Sequence, residues 1–577
     1  MRINKKLVRA IKSTQLNVLG WLIQFIHLLF LFTPSLHSQD IEDTSTDLKN
    51  RLKNNPITFT GSIAAQIQWN TISGMDQRRD PFHLNLFGHA NLNILGVNAP
   101  FSLAMADGNT TYNLPSYTFV GISPTYRWAK LHLFRRNMNF SKYTLAGHGF
   151  NGVGIELRPG NWRIASMYGT LRKAQIQDFG YRHQLDPHFK RLGYGIKFGY
   201  ESREDYLHLT LFKAEDDPTS LTFGDTTGIA AKDNIVLSTQ VKKKISKVLG
   251  IEGEYAYSIY TPEKSFLPRA YDGIDHLVHS LVTINGSTRS SSAYHFDIYF
   301  RPDQLGDFAL GYERIAPDFV SLGTMQFQND FEHFTASYRG KMKRTIGVSA
   351  RIGIERNNLD GTELESRNRF IGSLQINIPI DQRWRSSVSY SNFNQTTRLV
   401  DNSDPFQPVD SIFLGSTNHQ LSLQSNFRLD KENQLIGFIT HQRANTIHEE
   451  QITHNTAAVT NAGLSYSFSP KDGKIRWTSS IFFNSLRQEV VTSSSWSPSF
   501  RLHLTLSTHW NASFTVTDHL VTLNKMSNGN VIRLGITSQY TLSEKQGIQL
   551  RLQWINRSGS AQEFSETHGN FTYNYRF

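Results

Sequence analysis

The chain has 577 residues, 60 Lys and Arg against 48 Asp and Glu, a formal charge of +12 and no cysteine. No long apolar run follows Phe32 and mean hydropathy is −0.40, which excludes a helical membrane protein. The basic excess is spread along the chain instead of clustered, which argues against a nucleic-acid surface, and without cysteine there are no disulfides to form.

Arg2, Lys5, Lys6, Arg9 and Lys12 precede an apolar run from Val18 to Phe32, a breaker at Pro34 and small residues at Ser35 and Ser38. This pattern predicts a secretory signal peptide over residues 1–38, cut after Ser38. The run is shorter than the roughly 20 residues a spanning helix needs, and Gln24 and His27 interrupt it. No Cys follows it, which excludes a lipoprotein. Removing the five basic residues of this acid-free leader takes the charge from +12 to +7. Residues 39–56 form a polar segment, acidic and then basic, too short to fold alone or to plug a wide barrel.

From residue 57 to residue 577 extended patterns recur at roughly 20 to 25 residues per hairpin. Leu207, Leu209 and Leu211 alternate with His208 and Thr210, and Phe296, Ile298 and Phe300 with Asp297, Tyr299 and Arg301. Successive strand side chains point to opposite faces, so each strand has one apolar and one polar face. A strand between lipid and a watery lumen needs that division, and 12% aromatic residues suit the girdles at the two interfaces.

Turn chemistry sets a parity. Ser543 to Gln546, Pro470 to Lys474, Asp430 to Asn433, Pro379 to Arg383, Pro302 to Gly306, Ser246 to Gly250, Ser202 to Asp205 and Pro159 to Asn161 read as tight turns. The alternate connections, such as Asn137 to Gly149, Ile315 to Gln326, Thr397 to Gly415 and Asn445 to Thr456, read as longer extracellular loops. The expected fold is all-β: a single transmembrane antiparallel β-barrel of about 26 strands, within a range of 22 to 26. One stretch strains the parity. Ile274 to Ile284 looks extended between the strands Ile251 to Tyr260 and Ala293 to Arg301, so either one strand runs past the bilayer or the segment around His276 and His279 is an ordered external loop. A soluble solenoid would need a self-similar repeat, and none is present.

The chain ends N-F-T-Y-N-Y-R-F, placing Phe571, Tyr573, Tyr575 and Phe577 on one strand face. This alternating aromatic strand resembles the closing strand of bacterial outer-membrane barrels, the signal that their assembly machinery reads. The block Ser123 to Ala174, which contains S-P-T-Y-R-W-A-K-L-H-L-F-R-R-N-M-N-F-S-K-Y, and the later Y-E-R-I-A-P-D-F-V-S-L-G from Tyr312 to Gly323, resemble recurring segments of large outer-membrane barrels of the Bacteroidota. The resemblance implies outer-membrane placement, with membrane lipid, outer-membrane glycolipid and the barrel-assembly machinery as partners. It supplies no activity.

Strand phase puts Ala129, Leu131 and Leu133 toward lipid between Arg127 and Arg135, whose stems can snorkel to the headgroups, and Lys130 and His132 toward the lumen. By the same phase Lys197 and Arg301 are further candidate lumen charges. The next loop carries Phe140, Tyr143 and Leu145 with Gly147 and Gly149. That composition suits a loop folded into the barrel, and equally an external loop whose aromatics pack on the rim. Barrels of 16 strands or more leave an aqueous channel, and no separate plug domain is apparent. Inward loops or a partner would have to fill it; Ile315 to Gln326, with Pro317, Phe319 and Leu322, is the second candidate plug.

Catalytic and metal motifs are lacking. There is no G-x-S-x-G, P-loop or H-E-x-x-H. His448, Glu449, Glu450 and His454 place the second His at i+6 where a helix needs i+4, and Asp401, Asp404 and Asp410 lack EF-hand spacing. No cofactor, metal site or enzymatic activity is expected, a hydrolase on strand ends being the alternative. The functional expectation is a channel or transporter with a loop-occluded basic lumen favouring anionic cargo. The competing one is a non-conducting scaffold in a secretion or assembly complex, binding a lipoprotein or surface partner through an exposed apolar patch.

Overall fold

The computed structural model describes residues 57–77, 81–94, 96–106, 117–176, 187–221, 228–268, 281–325, 328–343, 345–400, 411–448, 455–559 and 562–577. The expected signal peptide, the segment 39–56, His276, His279, Asp401, Asp404, Asp410, Glu449, Glu450 and His454 lie outside them. The chain divides into two compact units, one of Met1–Phe59 with Leu92–Asn98, the other of Thr60–Asn91 with Ala99–Phe577. In the first, the described residues are extended apart from a turn where Gly96, at φ +90°, donates its N–H to Asn93 Oδ1 at 3.2 Å. The second is the barrel.

Twenty-seven β-segments form one antiparallel sheet. Two of them, Tyr117–Ile122 and Thr125–Tyr126, are pieces of one strand broken at Pro124, so the sheet is a closed barrel of 26 strands. Proline has no N–H to give the ladder, and the break follows from it. The first and last strands close the ring through an unbroken register from Ser62 opposite Arg576 to Ser73 opposite Ser565. Closure leaves no sheet edge there, which hydrocarbon would not tolerate.

The alternation in sequence becomes the two faces of the wall. Ile196, Phe198 and Tyr200 are exposed on the lipid side with Leu207 and Leu209 of the next strand, whereas His208 and Thr210 are buried inside. Aromatics collect at two levels. Trp162, Phe300, Phe308, Trp384, Trp510 and Tyr540 lie near the end where the chain finishes, and Tyr168, Tyr194, Tyr255, Tyr294 and Tyr312 toward the far end. From Trp162 to Tyr168 a strand runs roughly 20 Å along its own axis, about 15 Å of barrel height at a tilt of about 40°, which lies within a barrel's apolar band.

All eight tight turns join strands at the expected places. Their chemistry is local: Asp430 Oδ1 accepts from the N–H of Glu432 at 2.7 Å and of Asn433 at 2.8 Å, and Asp381 does the same for Arg383 and Trp384. Two expectations are revised and one open alternative is narrowed. The far-end connection Asn524–Lys525 is a two-residue turn, both residues having positive φ (50° and 67°), the geometry that suits strand twist. Both described ends of Thr397 to Gly415 are strand, because Trp384–Val400 and Ser411–Arg428 stay paired up to Val400 opposite Ser411. These polar strands of 17 and 18 residues exceed the 9–11 that a bilayer needs, so they rise beyond it. Finally, the described end of the strained stretch, Leu281 to Asn285, is not a strand. Val282 and Ile284 pack on Ile235 with Leu211 and Ile259, on the outer face of the wall, and Thr283 N–H donates to Asp233 Oδ2 at 2.9 Å.

Candidate functional site

Two loops fold into the lumen and grip each other. The first, 138–148, joins Ala129–Asn137 to Gly149–Leu157; the second, 316–330, joins Asp307–Ile315 to Phe331–Met342. Phe140, Tyr143 and Leu145 of the first and Phe319 and Leu322 of the second are buried, and Pro317 is half-buried. Phe140, Leu145 and Leu322 pack with the lumen-facing Phe150, Met167, Leu171 and Phe212. Tyr143 and Phe319 pack with Val236, Ala256 and Ala293, their rings edge to face with centroids 6.0 Å apart. Of the two placements left open by composition, the loop takes the inward one.

Backbone bonds lock the pair. Ala146 N–H donates to Gly323 O at 3.1 Å, Met325 N–H to Ala146 O at 3.2 Å, and Ser321 Oγ to Thr144 O at 2.6 Å. A Cβ on Gly323 would lie 2.3 Å from the Phe212 ring and 2.4 Å from Thr144 O, so only glycine allows this approach. Asn234 clamps the second loop from the wall, its amide donating to Val320 O at 3.1 Å and its Oδ1 accepting from Leu322 N–H at 3.0 Å. The first loop is held by Lys197, whose Nζ donates to Phe140 O at 2.6 Å, and by Glu313, which accepts from Tyr143 OH at 2.7 Å and pairs with Lys142. Burial, with the Glu313 carboxylate beside it, pushes the Tyr143 phenol up from its ordinary value.

The candidate lumen charges have separate surroundings. His132 is buried between Ser123 Oγ (3.1 Å) and Glu156 Oε1 (2.8 Å), and Lys130 lies 3.8 Å from the same carboxylate. Lys197 also reaches Gln240 Oε1 at 3.1 Å. Arg301 sits past the strand end at Phe300, exposed, 5.1 Å from the Tyr299 ring centroid. Phe571, Tyr573 and Tyr575 lie opposite Ile67, Ala65 and Ile63 of the first strand, and the ring centroids of Tyr575 and Phe577 are 6.1 Å apart.

Sequence reading named Lys130, His132, Lys197 and Arg301 and missed a mixed row of acids and bases elsewhere on the wall. Glu254, His295, Glu313, His333, Glu355 and Arg369 are direct cross-strand neighbours on six consecutive strands. The expected basic lumen is therefore, on this arc, a mixed one. Farther round, Gln375, Ser389, Ser422, Thr440, Asn461, Asn484 and Ser495 line one lumen side, are neutral, and none of them is buried. Among the described residues, both hydrophobic clusters that the loops build are confined to wall residues 150–331.

His148 gives the first loop a pH response. It is half-buried, and burial together with Arg191, Arg135 and Arg172 holds its imidazole below the usual histidine range. The folded loop thus binds fewer protons than the released loop, so its stability rises with pH and is lost as pH falls below about 6.5. Acidification from pH 7.5 to 5 is expected to loosen the loop, read as faster amide hydrogen exchange over residues 138–148, and His148→Gln to abolish the change. An identical response in that variant would show that another group carries it.

No protein-family model matches the chain, and no characterised protein matches it in sequence. Among solved structures it is similar to the P pilus usher PapC translocation pore, at 9% identity over 90% of this chain and 99% of that one, TM-score 0.37. It is also similar to the copper transporter OprC, at 10% identity over 90% and 80%, TM-score 0.40. The ferric enterobactin receptor PfeA of Pseudomonas aeruginosa matches at 10% identity over 90% and 80%, TM-score 0.37. Each is a likeness of one large barrel to another.

Proposed function

We propose that the protein is an outer-membrane channel or transporter whose lumen is divided into an arc packed by its own loops and an arc that conducts polar solutes. The observation that carries this reading is the neutral row from Gln375 to Ser495, which stays accessible on seven adjacent strands while the two loops bury the opposite wall. A barrel of this strand number encloses far more space than side chains of one arc can fill. The end at which Phe577 lies is the periplasmic one, and the aromatic strand Phe571 to Phe577 serves as the assembly signal.

The composition of that arc sets selectivity. The middle row of hydroxyl and amide groups binds neither ion strongly, but Arg367, Arg369, Arg385, Arg476 and Arg501 share its lumen phase on the same strands against the single acid Glu365, so the arc keeps a moderate anion preference. In a planar bilayer under a tenfold KCl gradient, the reversal potential is expected on the anion side of zero and well short of the ideal anion limit. A value close to the ideal anion or cation limit would contradict the neutral-arc path, and complete silence would favour the non-conducting scaffold.

A further inference from the structure

The accessible arc carries two aromatic rings among its hydroxyls and amides. Phe438, Gly463 and Phe482 are direct cross-strand neighbours on Asn433–His448, Asn455–Phe468 and Ile475–Arg487. They share the lumen phase of Thr440, Asn461 and Asn484, which stand one row farther from the Phe577 end, while Ile439, Leu464 and Ile481 are exposed on the lipid side. The rings lean together over the glycine, with centroids 6.2 Å apart and planes at 39°. A Cβ on Gly463 would lie 2.5 Å from the Phe438 ring and 2.6 Å from the Phe482 ring, so a larger residue there would push them apart. Both phenylalanines are half-buried, and neither belongs to the clusters that the plug loops build among the described residues. Part of each ring therefore faces the lumen.

The border of the two rings is neutral and hydrogen-bonding. Gln424 and Ser497 flank them on the same row. One row above, Ser422 and Thr440 share a hydroxyl hydrogen bond of 2.9 Å, and the Asn484 amide donates to Asn461 Oδ1. One row below, Ser465 Oγ donates to Ser480 Oγ at 2.9 Å. A hydroxyl or amide bonded once keeps further donor or acceptor capacity for a solute. Among the described residues, the nearest charged side chains in lumen phase on these five strands are Arg428 and Arg501, two rows below, roughly 13 Å along the strand.

From this geometry we infer that Phe438 and Phe482 form a binding platform for neutral oligosaccharides on the conducting arc. A pyranose has an apolar face of C–H bonds and a rim of hydroxyls. The negative face of an aromatic ring attracts such C–H groups, and the hydroxyls and amides around the rings can exchange hydrogen bonds with the rim. A purely apolar solute would strip water from those groups without replacing its bonds, and an ion would find its counter-charge only two rows away. The inference rests on the transport reading and names its substrate class, yet it can fail alone.

The test uses the full mature chain in dodecyldimethylamine oxide, a detergent without a sugar head. Binding of maltohexaose and cellohexaose is measured by titration calorimetry, and block of single-channel current by the same sugars in planar bilayers. Saturable binding of at least one hexaose is expected, about tenfold weaker in Phe482→Ala and retained in Phe482→Tyr, whose ring keeps its face. Gly463→Ala, which keeps both rings but forces them apart, is expected to weaken binding as well. Binding of only one of the two sugars would support the platform and show which linkage follows the wall. Polyethylene glycol of the same mass bound as tightly, no binding of either hexaose, or undiminished binding in Phe482→Ala or in Gly463→Ala would each overturn it. Heat-modifiable migration on a gel shows that each variant is folded. A barrel that conducts but binds neither sugar would sink the platform alone; one that binds them but is silent in bilayers would sink only the conducting path.

Discussion

Deleting Asn139 to His148 is expected to raise single-channel conductance several-fold and to admit larger solutes. The loop supplies Phe140, Tyr143 and Leu145 to the two lumen clusters, and its residue Ala146 is the partner that Gly323 and Met325 bond to in the second loop. Removing it therefore removes one plug and unlatches the other. The strands on either side, Ala129–Asn137 and Gly149–Leu157, are paired along their whole length, so a short Gly-rich connection can replace the loop without opening the wall. Planar-bilayer recording and liposome swelling with sugars of graded size check the effect. Unchanged conductance would mean that the loop fills space the solute does not use.

The second large effect is on stability. Asp216 is 1% exposed and accepts from Arg191 Nε at 2.7 Å and Nη2 at 3.1 Å, with Arg172 3.8 Å away. Removing one member of such a pair leaves the other charge buried without compensation, which costs about 3–5 kcal/mol. Asp216→Ala is expected to lose that much in urea unfolding from detergent. Asp216→Asn, which keeps one acceptor, is expected to lose less. Arg191 is one of the charges that hold the His148 imidazole low, so a released guanidinium would also disturb the loop. A loss under about 1 kcal/mol in the alanine variant would show that water reaches Arg191.

Most of the wall could be read from the sequence because strand physics is local. Leu207, His208, Leu209 and Thr210 declare their faces by alternation, and Asp430 and Asp381 declare turns by bonding their own backbone. Strand ends were less legible. Thr396, Thr397 and Arg398 look like loop chemistry, yet they continue a polar strand past the bilayer, where neither face needs apolar residues.

The lumen was only partly legible. Phe140, Tyr143 and Leu145 showed that the loop needed something to bury against, but not whether that was the rim or the lumen. Deciding it takes Glu313, 170 residues from Tyr143, and Asn234, whose amide clamp on Val320 spans 86. Nothing in the neighbourhood of either residue marks it. The interleaving of Glu254, His295, Glu313, His333 and Glu355 emerges only when five strands are set in register, although each residue already lay in lumen phase. Reading every charged residue in phase, as Lys130, His132, Lys197 and Arg301 were read, would have found them.

The division of the lumen can be tested directly because the chain has no cysteine. Single cysteines at Ser422, on the neutral arc, and at Thr210, beneath the packed one, are exposed to a bulky membrane-impermeant maleimide while current is recorded. Ser422→Cys is expected to react and to block most of the current, and Thr210→Cys to stay unmodified until Asn139 to His148 is deleted. Rapid labelling at Thr210 in the intact barrel, or labelling at Ser422 with no change in current, would contradict a conducting arc beside a plugged one.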